Sequence, residues 1–443
     1  MRSMVQKIRV GHVEATGAHA GSALRCWSHT AALVVFLFIG AGAMAQSTSR
    51  ITLDEAIDLA LKNSPALKAA RTQIDQNKAQ EVTAGLRPNP VLSWDSQYIP
   101  FFTPSLFSKD TLDTITQFDI GAGYLIERGH KRQRRLEAAR DQTRVTEAQV
   151  VDAERALKFN VAQQFIGALL AKSNLEFALE ARKSFRATLD INEERYKAGD
   201  VSKSDLLKTK IQLLQFQTDV TSAELAKVQA MASLRQFLGY DSVPRDYDVI
   251  GSLEYAPVKI RLDDLEAKAL RARPDLQGTE LGVNAAKSQF NLAKANGKQD
   301  LNVSFNYSHV SQVNDGALYF SIPIALFDRN QGEIKRTRYA IDQAELNRKA
   351  AEETVLTDVK NAYEAVKTNQ DVVDLYQSGY LKQSQESVDI TGFAYKQGAA
   401  ALLDFLDAER SYRSTQLAYR QALASHMLAV EQLRQAVGAR QIP

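Results

Sequence analysis

The chain has 443 residues, 44% of them hydrophobic, with 55 Lys and Arg set against 52 Asp and Glu. That composition supplies a large core and gives a nucleic-acid binder no bulk basic charge to work with. One cysteine, Cys26, excludes a disulfide framework and a cysteine metal site.

At the N-terminus Arg2, Lys7, Arg9 and Arg25 precede an apolar run from Ala31 to Ile39, and Ala43-Met44-Ala45 follows. This is the pattern of a secretory signal over residues 1–45, removed after Ala45; a retained membrane anchor is the alternative. The segment carries four basic residues and one acidic residue, so its removal leaves 51 of each and a neutral chain. Cys26 goes with it. Because Cys26 precedes the apolar run, it is not a lipid-bearing cysteine.

The remainder is one unit written twice. Ile51-Thr-Leu-Asp-Glu-Ala and Ile260-Arg-Leu-Asp-Asp-Leu open the two copies, Leu125-Ile-Glu-Arg128 answers Leu326-Phe-Asp-Arg329, and Tyr196-Lys-Ala-Gly199 answers Tyr395-Lys-Gln-Gly398. The matches keep their order at separations of 209, 201 and 199 residues. They divide the chain into a first repeat over 46–240, a connector over 241–257 marked by Pro244 and Pro257, and a second repeat over 258–443.

Each repeat reads as helix, strand, strand, very long helix, turn, helix. Pro65 and Pro274 stand where a first helical residue would. From Gly129 to Lys197, and from Asn330 to Lys396, no proline interrupts a composition rich in Ala, Leu, Gln, Glu, Arg and Lys. Apolar positions such as Phe159, Ala162, Ile166 and Leu169 step by three and four, the seam of a coiled coil. Long helices are therefore expected over 129–197 and 330–396.

Between them, Leu301, Val303, Phe305, Tyr307 and His309 alternate with polar residues, as do Leu318, Phe320, Ile322, Ile324 and Leu326. The first half matches with Leu92, Trp94 and Tyr98, and with Phe118, Ile120, Tyr124 and Ile126. Strands are expected over 90–101, 114–126, 300–311 and 316–326. Period two with one apolar face suits a transmembrane β-strand; an amphipathic hairpin of a soluble domain is the competing reading. Four strands do not close a barrel, and an open edge in lipid leaves N–H and C=O groups unpaired, so copies of the chain must pool their strands.

Taken together, these features resemble the outer-membrane efflux proteins typified by TolC, from about Ile51 to Val437. The marks are the Leu53-Asp-Glu-Ala56 opening, Leu86-Arg-Pro-Asn-Pro90 before the first strand, and the paired Tyr-x-x-Gly turns. The stretch from Ile322 to Ile334 is most similar to the CzcC-like heavy-metal branch. The resemblance implies a mainly α fold with a small transmembrane β portion, a homotrimer, a shared twelve-stranded barrel and a periplasmic α-barrel. It also implies docking to a periplasmic adaptor and to an inner-membrane pump of the resistance-nodulation-division type, in contact with outer-membrane lipid.

On that resemblance Tyr196, Gly199, Tyr395 and Gly398 are the adaptor-docking tips; as bare residues the glycines are helix stops. Asp404 and Asp407 share a helix face and, with Asp205 and Tyr395, are expected at the periplasmic aperture; a solvated helix face is the alternative. Asp205 is expected to bond Tyr395 and hold the mouth shut, and Ala400 stands where some relatives carry a basic residue. Lys131, Arg132, Arg134, Arg135, Lys335, Arg336 and Arg338 either meet lipid head groups or pair within their helices.

No catalytic arrangement emerges. Beyond residue 45 the histidines are His130, His309 and His426, without metal-site spacing, and no phosphate loop or nucleophile elbow occurs. No cofactor is expected. Three functions compete: an exit duct for heavy-metal cations or other toxic small molecules, the channel of a type I protein secretion system, and a periplasmic adaptor or coiled-coil scaffold without a pore.

Overall fold

The structure, a computed structural model, describes residues 49–259 and 261–440. The signal expected over residues 1–45 lies outside them. The first half opens with strand β1 (Arg50–Ile51) and helix α1 (Leu53–Asn63). Thr52 caps that helix: its hydroxyl accepts the Glu55 N–H at 3.4 Å, and the Glu55 carboxylate accepts the Thr52 N–H at 2.8 Å. Pro65 begins α2 (Pro65–Gly85), where its missing N–H costs no helical bond. Strand β2 (Val91–Gln97), the short helix α3 (Lys109–Thr114) and strand β3 (Gln117–Ile126) follow. Helix α4 (Lys131–Ala198) then runs 68 residues without a break, roughly 100 Å, and α5 (Lys203–Leu238) returns beside it.

The stretch 241–257 is more than a connector. It contains strand β4 (Asp248–Val249), which pairs in parallel with β1, and it buries Val243, Tyr247 and Val249. The second half repeats the order with α6 (Leu262–Ala272), α7 (Pro274–Asn296), β5 (Leu301–Val310), β6 (Val313–Ser321), α8 (Gln331–Leu375), α9 (Leu381–Lys396) and α10 (Leu402–Val437).

Three expectations need correction. β2 ends at Gln97 and not near residue 101, because Tyr98 turns the chain with φ +57°. β6 occupies 313–321 in place of 316–326: Ser311 and Gln312, with φ +50° and +65°, form a two-residue hairpin loop, and Pro323 has no N–H for a ladder. The second long helix is interrupted over Tyr376–Tyr380, a π turn in which Gly379 takes φ +145°.

The four strands form one antiparallel sheet in the order β2-β3-β5-β6. The helices carry the core. At mid-length, α1 packs onto α4 and α5 through Ile57, Ala60, Phe165, Leu169, Leu234 and Leu238. The equivalent cluster of the second half joins α6 to α8 and α10 through Leu265, Ala269, Val355, Val359, Leu433 and Val437. A third cluster lies near the distal end, where Phe185 stacks on Phe216 at 4.6 Å. Helices this long owe their stability to such lateral burial, since propensity alone leaves isolated helices marginal in water.

Candidate functional site: the distal tip and the sheet

Both helical hairpins reverse on a glycine at the end remote from the sheet. Gly199 has φ +86° and Gly398 φ +75°, the left-handed conformation in which a residue without Cβ is unstrained. The Asp200 N–H reaches the Arg195 carbonyl at 2.9 Å, and the Ala399 N–H reaches that of Ala394 at 2.8 Å, closing both helices in the same way. A Cβ on Gly199 would meet nothing within 4 Å. Gly199→Ala is therefore expected to lower stability by about 1–2 kcal/mol through backbone conformation alone, and Gly199→Asn by less, because Asn tolerates this region. Thermal melts of the two variants check this; equal losses would argue against it.

Between the tips lies an open cleft of about 380 Å³ bordered by Arg195, Asp205, Lys208, Tyr395, Gly398 and Leu402. The expected Asp205–Tyr395 bond is absent from it. Asp205 turns to its own helix start, accepting the Ser202 hydroxyl at 2.9 Å and facing Lys208 at 3.5 Å. The Tyr395 hydroxyl instead donates to the Asn192 side-chain oxygen at 3.0 Å, and the Asn192 amide donates to the Thr209 hydroxyl at 3.1 Å. Arg195 adds a second crossing: its guanidinium donates to the Tyr395 carbonyl at 2.9 Å and lies 5.5 Å from the Tyr395 ring. The result is a clasp joining α4, α5 and α9.

Tyr395 also leaves the set of docking residues. It is only 6% exposed, with its ring parallel to Phe405 at 5.7 Å, whereas Tyr196 is 40% exposed. Burial raises the pKa of its hydroxyl, so that it remains a donor. Asn192, Arg195 and Thr209 escaped the reading of the sequence. The signal was present in Asn192, which follows Phe185 and Leu189 at seam spacing and is a polar residue where an apolar one belongs.

Asp404 and Asp407 both lie exposed on the first turns of α10. The Asp404 carboxylate accepts the Ala401 N–H at 3.3 Å, and Asp407 sits 3.4 Å from Arg410, which offsets part of its charge. The basic residues near the sheet are largely satisfied within the chain. Lys131 pairs with Asp300 at 2.7 Å, Arg134 with Glu137 at 2.7 Å and Arg336 with Glu333 at 2.6 Å. Arg135 pairs with Glu127, Arg338 faces Asp342, and Arg132 donates to the Gly85 carbonyl.

The sheet has one mainly apolar and one mainly polar face. Leu92, Trp94, Ile120, Phe305, Leu318 and Phe320 share one face and are exposed, Trp94 by 79%. On the other, register aligns Asp95, Asp119, Ser308 and Asp315 in a single row across all four strands. The Gln97 amide donates to Asp95 at 2.6 Å and the Gln117 amide to Asp119 at 2.7 Å. Strands β2 and β6 are edges with no partner among the described residues. Nor do those residues include a group of three or more His, Cys, Asp or Glu able to hold a metal, or a helix long and apolar enough to cross a membrane.

Comparison with known proteins agrees with this architecture. The family described as "Outer membrane efflux protein" matches residues 56–240 and 265–439. The chain is similar to the cobalt-zinc-cadmium resistance protein CzcC of Cupriavidus metallidurans, 21% identical over 84% of this chain and 87% of that one. It is also similar to the probable outer membrane lipoprotein SilC of Salmonella typhimurium, 24% identical over 81% of this chain and 79% of that one. In fold it matches crystal structures of CusC with a TM-score of 0.72 at 20% identity, covering 87% of this chain and 92% of that one. The duplicated long-helix hairpins on a four-stranded sheet are thus those of an efflux channel subunit, and the chain belongs to the outer membrane efflux protein family.

Proposed function

We propose that three copies of the chain close one barrel in the outer membrane and form the exit duct of a tripartite efflux system that discharges heavy-metal cations. The observation that carries the reading is the sheet. It has an apolar face, a polar face and two unpaired edges, and only further strands from neighbouring copies satisfy those edges in lipid. The apolar row then faces the bilayer and the Asp95, Asp119 and Asp315 row faces the lumen. A periplasmic adaptor meets Tyr196 and the turns at Gly199 and Gly398, and an inner-membrane pump of the resistance-nodulation-division type supplies the cargo. Cations are favoured because CzcC is named for cobalt, zinc and cadmium resistance, and because the lumen row and the mouth at Asp404 and Asp407 are acidic.

The duct selects by charge and not by chelation. Each chain contributes three carboxylates to the lumen row, spread over three strands, which attract cations without enclosing one. A strain lacking the chain is expected to become sensitive to cobalt, zinc or cadmium salts; wild-type tolerance of all three would overturn the cargo assignment. In planar bilayers, Asp404→Ala with Asp407→Ala is expected to lower the cation preference of the purified channel. Asp95→Asn, Asp119→Asn and Asp315→Asn together should lower it further, with both effects fading at high salt as screening shortens the reach of the charges. Unchanged reversal potentials in both sets would remove these carboxylates from the permeation path.

A further inference from the structure

Strands β2 and β5 both run away from the helices, so two turns lie at the outer end of the sheet, remote from the periplasm. They differ sharply. The β5–β6 turn is two residues long, Ser311 and Gln312, whereas residues 98–116 separate β2 from β3. The longer connection is itself divided. From Ser96 to Ser108 the sequence carries no charged side chain. Within that stretch Phe102 is wholly exposed, and Tyr98, Phe101 and Phe107 are each more than half exposed. From Lys109 onward the chain is the polar helix α3, Lys-Asp-Thr-Leu-Asp-Thr.

The two halves are held differently. Ser108 caps α3 by accepting the Thr111 N–H at 3.1 Å, and the Ser311 hydroxyl donates to the Thr114 carbonyl at 3.0 Å. The polar half is thereby tied to the β5–β6 turn of its own chain. In the apolar half no residue from Tyr98 to Ser108 is buried. Its backbone, by contrast, closes on itself. The Phe101 N–H reaches the Ile99 carbonyl at 2.8 Å, that of Thr103 reaches Pro100 at 3.2 Å, and that of Leu106 reaches Thr103 at 2.9 Å. A turn of 3-10 helix over Pro104–Leu106 follows, with the Phe107 N–H on the Pro104 carbonyl at 3.1 Å and that of Ser108 on Leu106 at 2.9 Å. Pro100 and Pro104 have no N–H. From Pro100 to Ser108 only Phe102 and Ser105 therefore keep an N–H without a bond among the described residues. Apolar side chains turned outward on a self-satisfied backbone suit lipid and not water.

We propose that the segment Tyr98–Phe107 inserts into the outer leaflet of the membrane, with its rings at the boundary between acyl chains and head groups. The segment continues the edge strand whose Leu92 and Trp94 lie on the apolar face, so it leaves the sheet beside lipid. The inference rests on the reading of that face as lipid-facing. Aromatic rings favour this boundary because they are apolar in body and tolerate a wet edge. A neighbouring copy is the weaker occupant. When β6 of the next copy pairs with β2, it brings a two-residue turn flanked only by Val310 and Val313, too little apolar surface to cover three phenylalanines and a tyrosine. Lys109, the first charge after the apolar stretch, marks the return of the chain to water.

Tryptophan fluorescence of the purified channel in phosphatidylcholine vesicles tests the insertion, with Trp27→Phe in every sample. Trp94 is then the sole tryptophan and reports on the apolar face of the sheet. Trp94→Phe with Phe102→Trp moves the reporter to the loop, and Trp94→Phe with Phe107→Trp supplies a second probe should the first disturb it. Trp94→Phe with Asp113→Trp places the reporter on α3. Lipid brominated in the upper part of its acyl chains is expected to remove about half the emission from Trp94 and from positions 102 and 107. Position 113 should keep its emission in brominated lipid and lose it to iodide present on both sides of the membrane. Iodide quenching at 102 and 107 equal to that at 113 would put the loop in water. Protection from both quenchers would put it against a neighbouring copy. Either result overturns the insertion while bromine quenching of Trp94 persists; its loss at Trp94 would instead overturn the reading of the sheet, and the insertion with it.

Discussion

Arg273→Met is expected to cost the folded chain about 3 kcal/mol, the low end of what breaking a buried ion pair from one side costs. Arg273 is 3% exposed and binds Asp275 at 2.5 Å, Asp358 at 2.8 Å and the Ala436 carbonyl at 3.4 Å. It thereby ties the start of α7 to α8 and to the last turn of α10. Removing it strands Asp358 and a carbonyl and leaves Asp275 only Arg155 at 3.8 Å; because both acids keep partial access to water, the loss stays near the lower bound. In the first half the same position, just before the proline, is Ser64, which caps α2 by accepting the Leu67 N–H at 3.4 Å. The duplicated unit has thus exchanged a local cap for a long-range tie. Arg186→Met, which removes an exposed pair with Asp190, should cost less than about 1 kcal/mol. Chemical denaturation of both variants decides the matter, and equal losses would refute the tie.

The pH dependence has a definite sign. Burial alone would push the Asp275 carboxyl upward, but its bonds to Arg273 and the nearby Arg155 outweigh burial and hold it below the ordinary carboxylate value. A depressed acid contributes stability that is complete above its unfolded pKa of about 4 and lost as pH falls through the folded value. The wild-type chain should therefore lose stability over that acid range more steeply than Arg273→Met does.

Asn192→Ala is the second large effect, expected at about 2–4 kcal/mol from a buried side chain lost together with the partners of Tyr395 and Thr209. Asn192 is fully buried, so the Tyr395 hydroxyl finds no water in exchange. Tyr395→Phe removes one hydroxyl and leaves only the Asn192 oxygen short of a donor, for about 1–2 kcal/mol. If the clasp holds the mouth, both variants should raise single-channel conductance in the order of these losses. A stability loss with wild-type conductance would reduce the clasp to a packing feature.

Much of this architecture was legible in the chain. The alternation of Leu301, Val303, Phe305 and Tyr307, and the proline-free run after Gly129, announce strand and long helix because side-chain period is a local property of the backbone. The glycines at 199 and 398 announce the reversals because positive φ is a requirement of a single residue. Strand limits were less legible: the end of β2 depends on Tyr98, a non-glycine residue in the left-handed region, and no local pattern foretells that.

What the sequence determined by itself is therefore the duplicated order of elements, their type, and the apolar and polar faces of the sheet. Only the tertiary structure decided which residues meet. It gave Tyr395 to Asn192 and not to Asp205, drew residues 248–249 into a ladder with residues 50–51, and broke the second long helix at Gly379 while leaving the first intact. The reason is physical: a periodic pattern fixes which way each side chain faces, whereas partnership depends on the rotation and height of one helix against another. Those are set by the summed packing of distant segments, and no stretch of chain a few residues long contains them.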